Sequence, residues 1–154
     1  MVEELHSYIQ TDVENLDSLM HELSSTNYCN EAILNAIIRD KISHAYVIRE
    51  GSHIVAAGTL CVIHTLEFTN ACIESVAVST KQRGKGLGRL LVEHMINEAR
   101  KMNVHSIHLT SNPKRVAANN LYQRMGFMKY ETNCYVLDLE RREYEIFDCC
   151  CTFR

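Results

Sequence analysis

The sequence predicts an α+β domain of three layers (αβα), a central mixed β-sheet with helices on both faces. Three observations carry that expectation. Short β-branched apolar runs and amphipathic helical stretches share one continuous stretch, with no linker or internal repeat. The run over 71–78 passes through a glycine-rich turn into helical apolar spacing at Leu87, Leu90, Leu91, Met95, Ala99 and Met102, the pattern of a parallel βαβ unit. Gly51-Ser52 lies between two further strand runs and signals an antiparallel hairpin.

Taken in order, residues 5–10 read as a first strand. Asp12 is placed to cap a helix running to about residue 25, with Val13, Leu16, Leu19, Met20 and Leu23 on one face. Residues 30–41 form a second helix on Ala32, Ile33, Ala36 and Ile37. Strands follow over 45–49 and 54–64 on either side of the hairpin turn, then over 71–78. The long amphipathic helix covers 87–102, and 104–110 reads as another strand. The single proline, Pro113, precedes a helix from about 115 to 125 that Gly126 closes at its C-terminus. Residues 134–139 read as a last strand.

At 154 residues and 46% hydrophobic, the chain suits one domain with a substantial core. We expect that domain to span 1–139, with 140–154 as a tail, either extended or docked on a partner subunit. A net charge of −3 offers no polyanion-binding surface, so nucleic acid is not an expected partner. The first residues lack the basic and apolar regions of a signal peptide, and no apolar run reaches membrane-spanning length. Seven cysteines, an odd number without metal-ligand spacing, suit a reduced, cytoplasmic protein. The eight histidines show no ligand spacing either, and no metal is expected.

Chemistry concentrates between the strand at 71–78 and the helix that follows. Gly84, Gly86 and Gly88 alternate with Arg83, Lys85, Leu87 and Arg89. The first N–H groups of a helix lack internal partners and lie at the positive end of its dipole. Glycines let that backbone approach an anion closely, and the cations add full charges, so the segment reads as a phosphate cradle. A nucleotide P-loop requires Lys and then Ser or Thr after its last glycine, whereas Gly88 precedes Arg89 and Leu90. The dinucleotide fingerprint requires two residues between its second and third glycines, and here only Leu87 intervenes. Arg83-x-x-Gly86-x-Gly88 instead resembles the coenzyme A pyrophosphate loop of the GNAT superfamily of N-acyltransferases.

A second stretch strengthens that resemblance. Residues 110–127 look like the GNAT helix that packs along the pantetheine arm and ends in Leu-Tyr-x-x-x-Gly-Phe, with Ala118, Leu121, Tyr122, Gly126 and Phe127 matching. The order of two helices, a hairpin and an Ile-Glu-x-Val-x-Val strand also agrees, so the likeness covers about 3–139. One departure stands out. Many members carry Asn seven residues before the tyrosine, where this chain has Arg115; Asn119 is the nearby candidate for that contact.

The resemblance implies a GNAT fold and direct attack of a primary amine on acetyl-CoA, used as co-substrate. It assigns the pyrophosphate to Arg83, Gly84, Lys85, Gly86, Leu87, Gly88 and Arg89, and the pantetheine amides to the strand Val76, Ala77, Val78. A backbone N–H near Ala77 or Val78 would stabilise the oxyanion. Tyr122 is the expected general acid for the departing thiolate and, with Asn119, part of the coenzyme site. Glu74 is the candidate base, set on the face of Val76 and Val78 if the strand is regular; a water chain, His64 and His108 are the alternatives.

The expected acceptor is a small-molecule amine, with amino-sugar phosphates and polyamines as specific candidates. Glu22, Tyr28 and Glu31 are placed to attract a cation, or simply to be solvated. A protein amino group remains an alternative, as does a non-catalytic acyl-CoA sensor, against which the intact Tyr122 speaks. A homodimer is expected from the edge that 134–139 would expose and from the apolar Tyr144, Ile146 and Phe147 of the tail.

Overall fold

The computed structural model describes residues 1–137 and Leu139. Contacts divide the chain into two units, Met1–Leu109 and Thr110–Arg154. The first unit is built on a five-stranded mixed sheet. Strands β1 (Val2–Glu4), β2 (Ser43–Glu50), β3 (His53–His64) and β4 (Thr69–Val78) run antiparallel in that order. Strand β5 (Ile107–His108) then pairs parallel to β4. Helices α1 (Gln10–Leu23) and α2 (Glu31–Arg39) follow β1, and α3 (Leu87–Lys101) makes the crossover between β4 and β5. This is the three-layer α+β arrangement that the sequence predicts.

Both faces of the sheet are covered, which is why β2 buries Tyr46, Val47 and Ile48 in succession instead of alternating. One face packs Ala45, Val47, Ala57 and Ala77 beneath Leu16 and Leu19 of α1 and Leu34 of α2. The other receives α3. At Gly58 a Cβ would stand 3.1 Å from Met95 Cε and 3.3 Å from Leu91 Cδ2, so glycine leaves room for α3, and a larger residue would require those side-chain ends to give by a few tenths of an ångström. The ring of Tyr46 meets His94 of α3 edge-on, 5.0 Å between centroids.

The helix starts follow local chemistry. α2 is capped by Asn30, whose side chain accepts the N–H of Ile33 at 2.9 Å. α1 begins two residues before Asp12, with Ile9 at the cap. From inside the first turn, Asp12 accepts the N–H of Ile9 at 3.1 Å, the reciprocal half of a capping box. The same buried carboxylate takes both terminal nitrogens of Arg49, whose Nε reaches Glu3 at 2.6 Å.

Three sequence expectations shift. The first strand is Val2–Glu4, not 5–10, because Ile9 becomes a helix cap and Leu5 turns into the core. The strand expected over 104–110 shortens to Ile107–His108. Its flank still joins the ladder, since His105 N–H donates to Thr69 O (2.7 Å) and Ala71 N–H to Ser106 O (3.0 Å). The last strand is not formed: residues 134–137 carry no ladder and leave Tyr135, Val136 and Leu137 exposed. An apolar, strand-prone run makes a strand only where a partner edge receives it, so propensity alone was insufficient. The edge argued for a homodimer is therefore missing over 134–137, and the tail over 140–154 lies outside the described residues.

In the second unit, α4 (Val116–Arg124) ends in a Schellman motif. Gly126 adopts φ +93°, its N–H donates to Gln123 O (3.1 Å), and Phe127 N–H reaches back to Tyr122 O (3.0 Å). The Tyr122 and Phe127 rings meet edge-on at 6.0 Å, the apolar contact that accompanies this cap. The Leu-Tyr-x-x-x-Gly-Phe pattern is thus a helix end that fixes the tyrosine ring. Among the described residues no helix is long and apolar enough to cross a membrane.

Candidate active site

Strand β4 is interrupted. Thr59 pairs with Glu74 and Ala57 with Ala77, so Gly58 alone opposes both Ser75 and Val76, a β-bulge. Ser75 takes the left-handed conformation at φ +56°, uncommon for a residue with a Cβ. The extra residue changes which side chains share a face. Cross-strand partners lie on one face, so Glu74 sits with Thr59, Ala57 and Ala77, on the side of α1 and α2. The alternation that sets Glu74 with Val76 and Val78 in a regular strand does not hold here. The Glu74 side chain stays accessible, yet desolvation raises its carboxyl above the usual carboxylate range.

Beyond Val78 the chain makes a 3-10 turn, Thr80–Gln82, and enters the glycine segment. Gly84 and Gly86 both adopt φ +80°, which glycine alone accommodates without strain. Gly86 is the N-cap of α3 and supplies no side-chain acceptor, so the first N–H groups of the helix are left to an external anion. Nothing lies within 4 Å of where a Cβ would project at Gly84 or Gly86. This open, left-handed backbone, flanked by Arg83, Lys85 and Arg89, fits a pyrophosphate.

The surroundings of the loop were less legible. Arg83 Nε donates to Val78 O at 3.1 Å, folding the side chain back over the strand end. Glu22 of α1 lies 3.5 Å from Arg83 Nη2 and accepts both the N–H and the hydroxyl of Thr80. Its carboxylate is therefore engaged by the loop and not simply solvated. Glu22 stands 58 residues from Thr80, and no sequence spacing announces that pair. Lys85 Nζ donates to Gln82, whose amide donates to Glu50 of the hairpin. Arg89 pairs with Glu93 at 2.7 Å.

Val76, Ala77, Val78 and the segment from Arg83 to Arg89 therefore come together where β4 meets α3, with Glu74 on the same strand but turned to the other helical layer. Tyr122 and Asn119 belong to the second unit, both on α4. Tyr122 is buried, and Asn119 Nδ2 donates to Asn112 O at 2.9 Å, holding the turn before the helix. His64 and His108 are engaged locally, by Thr69 (3.0 Å) and Ser106 (2.9 Å).

A cavity of about 110 Å3 opens on the face of α1 and α2, with Thr59, Gly58 and Ser75 of the bulge at one end. Cys29 lines it too, but burial, reinforced by the Asp17 carboxylate, pushes its thiol up to about 11. It is therefore neutral at physiological pH and a poor nucleophile.

A family model described as the Acetyltransferase (GNAT) family matches residues 10–127. No curated protein is detectably similar by sequence. Among solved structures, a candidate acetyltransferase from Agrobacterium tumefaciens C58 aligns with a TM-score of 0.77 at 23% identity, over 90% of this chain and 99% of that one. An acetyltransferase from Trypanosoma brucei aligns at 0.71 and 21%, over 90% and 99%. Glucosamine-6-phosphate N-acetyltransferase from Arabidopsis thaliana aligns at 0.71 and 17%, over 89% and 97%. At such identities these likenesses speak to the fold. The family match spans most of the chain, on the elements that carry the bulged strand, the glycine loop and the capped tyrosine helix: this protein belongs to the GNAT acetyltransferase family and is an N-acetyltransferase.

Proposed function

We propose that the protein binds acetyl-CoA at the junction of β4 and α3 and transfers its acetyl group directly to the primary amine of a small molecule. The observation that carries the reading is the left-handed Gly84–Gly86 backbone feeding the N-terminus of α3 with no side-chain cap. In this scheme the N–H groups from Gly84 to Arg89 hold the pyrophosphate, and Val76, Ala77 and Val78 bond the pantetheine amides. The size of the cavity favours a small acceptor over a protein segment, which needs an open groove.

The chemistry assigns three tasks. The amine nitrogen attacks the thioester carbon, and an N–H near Ala77 or Val78 receives the charge that develops on oxygen. Glu74, directly or through water, takes the proton that the nitrogen sheds. Its raised pKa brings it nearer to neutrality, where a general base works best. As the C–S bond breaks, Tyr122 donates its hydroxyl proton to the thiolate, and Asn119 contributes to holding the coenzyme from the same helix.

Calorimetry with acetyl-CoA tests the cradle. At φ +80° a Val side chain is strained and projects where the anion would approach. Gly86→Val is expected to weaken binding about tenfold or more, with circular dichroism unchanged. Equal affinity in that variant overturns the placement.

A further inference from the structure

We infer that the acceptor amine carries a small apolar body, of the alkyl or phenylalkyl class, and is neither an amino-sugar phosphate nor a polyamine. The inference rests on the proposed transfer to a small-molecule amine, and it concerns the chemistry of the cavity beside the bulge. Leu16 and Met20 of α1 and Ile33 and Ile37 of α2 contribute to its apolar lining. Among the described residues that line it, none is charged. Its polar groups are few, and two of them, the hydroxyl-bearing Thr59 and Ser75, lie at the β4 end. Glu74 is the cross-strand partner of Thr59, so its carboxylate also belongs to that end, whereas the other nearby carboxylate, Asp17, is engaged by the N–H of Cys29 at 2.9 Å.

The cavity is therefore polarised. Its β4 end suits an ammonium group about to lose its proton, and the space between α1 and α2 suits carbon. A phosphate monoester placed there would shed its hydration with no Lys, Arg or His on the lining to replace it, which is prohibitive for a buried anion. A polyamine fares little better, because its second ammonium would meet the isoleucine and methionine side chains of α1 and α2, and Asp17, the carboxylate beyond Cys29, is already engaged by that residue's N–H. An alkyl or aryl group gains from the same surroundings. Volume sets the size. A dry cavity of about 150 Å3 accommodates benzene, so about 110 Å3 suits a branched butyl group or much of a phenyl ring.

The test measures CoA thiol release by the wild-type protein at saturating acetyl-CoA with four amines: isopentylamine, phenethylamine, glucosamine 6-phosphate and spermidine. The two apolar amines are expected to show kcat/KM about tenfold or more above the polar pair. Ile33→Lys, which sets a cation in the apolar wall, is expected to lower kcat/KM for phenethylamine about tenfold or more while the KM for acetyl-CoA stays put. A preference for glucosamine 6-phosphate or spermidine overturns the inference and leaves N-acetyl transfer to small amines intact. An Ile33→Lys protein that folds and treats phenethylamine as the wild type does also overturns it. Turnover of none of the four, with acetyl-CoA bound normally by calorimetry, removes the small-amine reading and this inference together. The wild-type panel decides alone if the lysine variant does not fold.

Discussion

Glu22 accepts two hydrogen bonds from Thr80 on one oxygen, Oε2: the backbone N–H at 2.7 Å and the hydroxyl at 2.8 Å. α1 walls the cavity through Leu16 and Met20 and, two residues further, fixes the start of the loop proposed for the coenzyme. The sides proposed for donor and acceptor thus share one helix. Glu22→Ala is expected to raise the KM for acetyl-CoA about three- to tenfold with a smaller change in kcat. Glu22→Gln, which keeps an acceptor for Thr80 but loses the charge facing Arg83, is expected to fall between. Initial-rate kinetics on the two variants check this, and an unchanged KM in Glu22→Ala removes the positioning role.

Ser75 holds φ +56° at the bulge, a conformation that costs an L-residue roughly 1–2 kcal/mol. Ser75→Gly relieves that cost and is expected to leave the urea midpoint unchanged or raised. Ser75→Val adds a branched Cβ and is expected to destabilise by about 1–2 kcal/mol. Equal midpoints for the two variants would show that the bulge is not held in this conformation in solution.

Tyr122 is buried, with its ring fixed against Phe127 by the helix cap. Tyr122→Phe keeps that packing and removes only the hydroxyl. If the hydroxyl protonates the thiolate, kcat drops about 10²-fold while acetyl-CoA affinity is retained. Single-turnover rates separate chemistry from release, and an unaltered chemical step reduces Tyr122 to packing.

Asp12 is held below the usual carboxylate range chiefly by its hydrogen bonds with Arg49, against the opposing effect of its burial. Because the folded value is depressed, the pair contributes its full stability above the unfolded value of about 3.9 and loses it as pH falls through the folded one. Asp12→Asn is expected to cost about 3 kcal/mol at pH 7 and to flatten the acid limb of stability below about pH 4. Urea melts at pH 7 and pH 3 give both quantities, and a loss of equal size at the two pH values contradicts the linkage.

Periodicity located α1, α2, α3 and α4, the Gly51 hairpin and the βαβ crossover, because each of those signals is local. The glycine loop was equally legible, since left-handed backbone demands glycine at Gly84 and Gly86 whatever the tertiary context. What spacing did not reveal depends on distant partners. Residues 134–137 are strand-prone in composition and carry no ladder, while Ile107–His108 gains its strand from β4. Glu22 reads as a surface carboxylate until Thr80 and Arg83 are brought to it. Glu74 was placed by counting alternate residues, and that count assumes a regular strand.

The single additional residue in β4 also protects the domain against its own alternative pairing. Were the intact β4 to zip against β3 without interruption from the Ala57–Ala77 pair, a better ladder by backbone criteria alone, every residue before Val76 would move one place along β3. Glu74 would then fall opposite Leu60, which is fully buried, and its carboxylate would be driven into hydrocarbon. The irregular register persists because the regular one is penalised by burial of a charge. Excising Ser75 escapes that penalty, because Glu74 then stays beside Thr59 and Val76 alone meets Gly58.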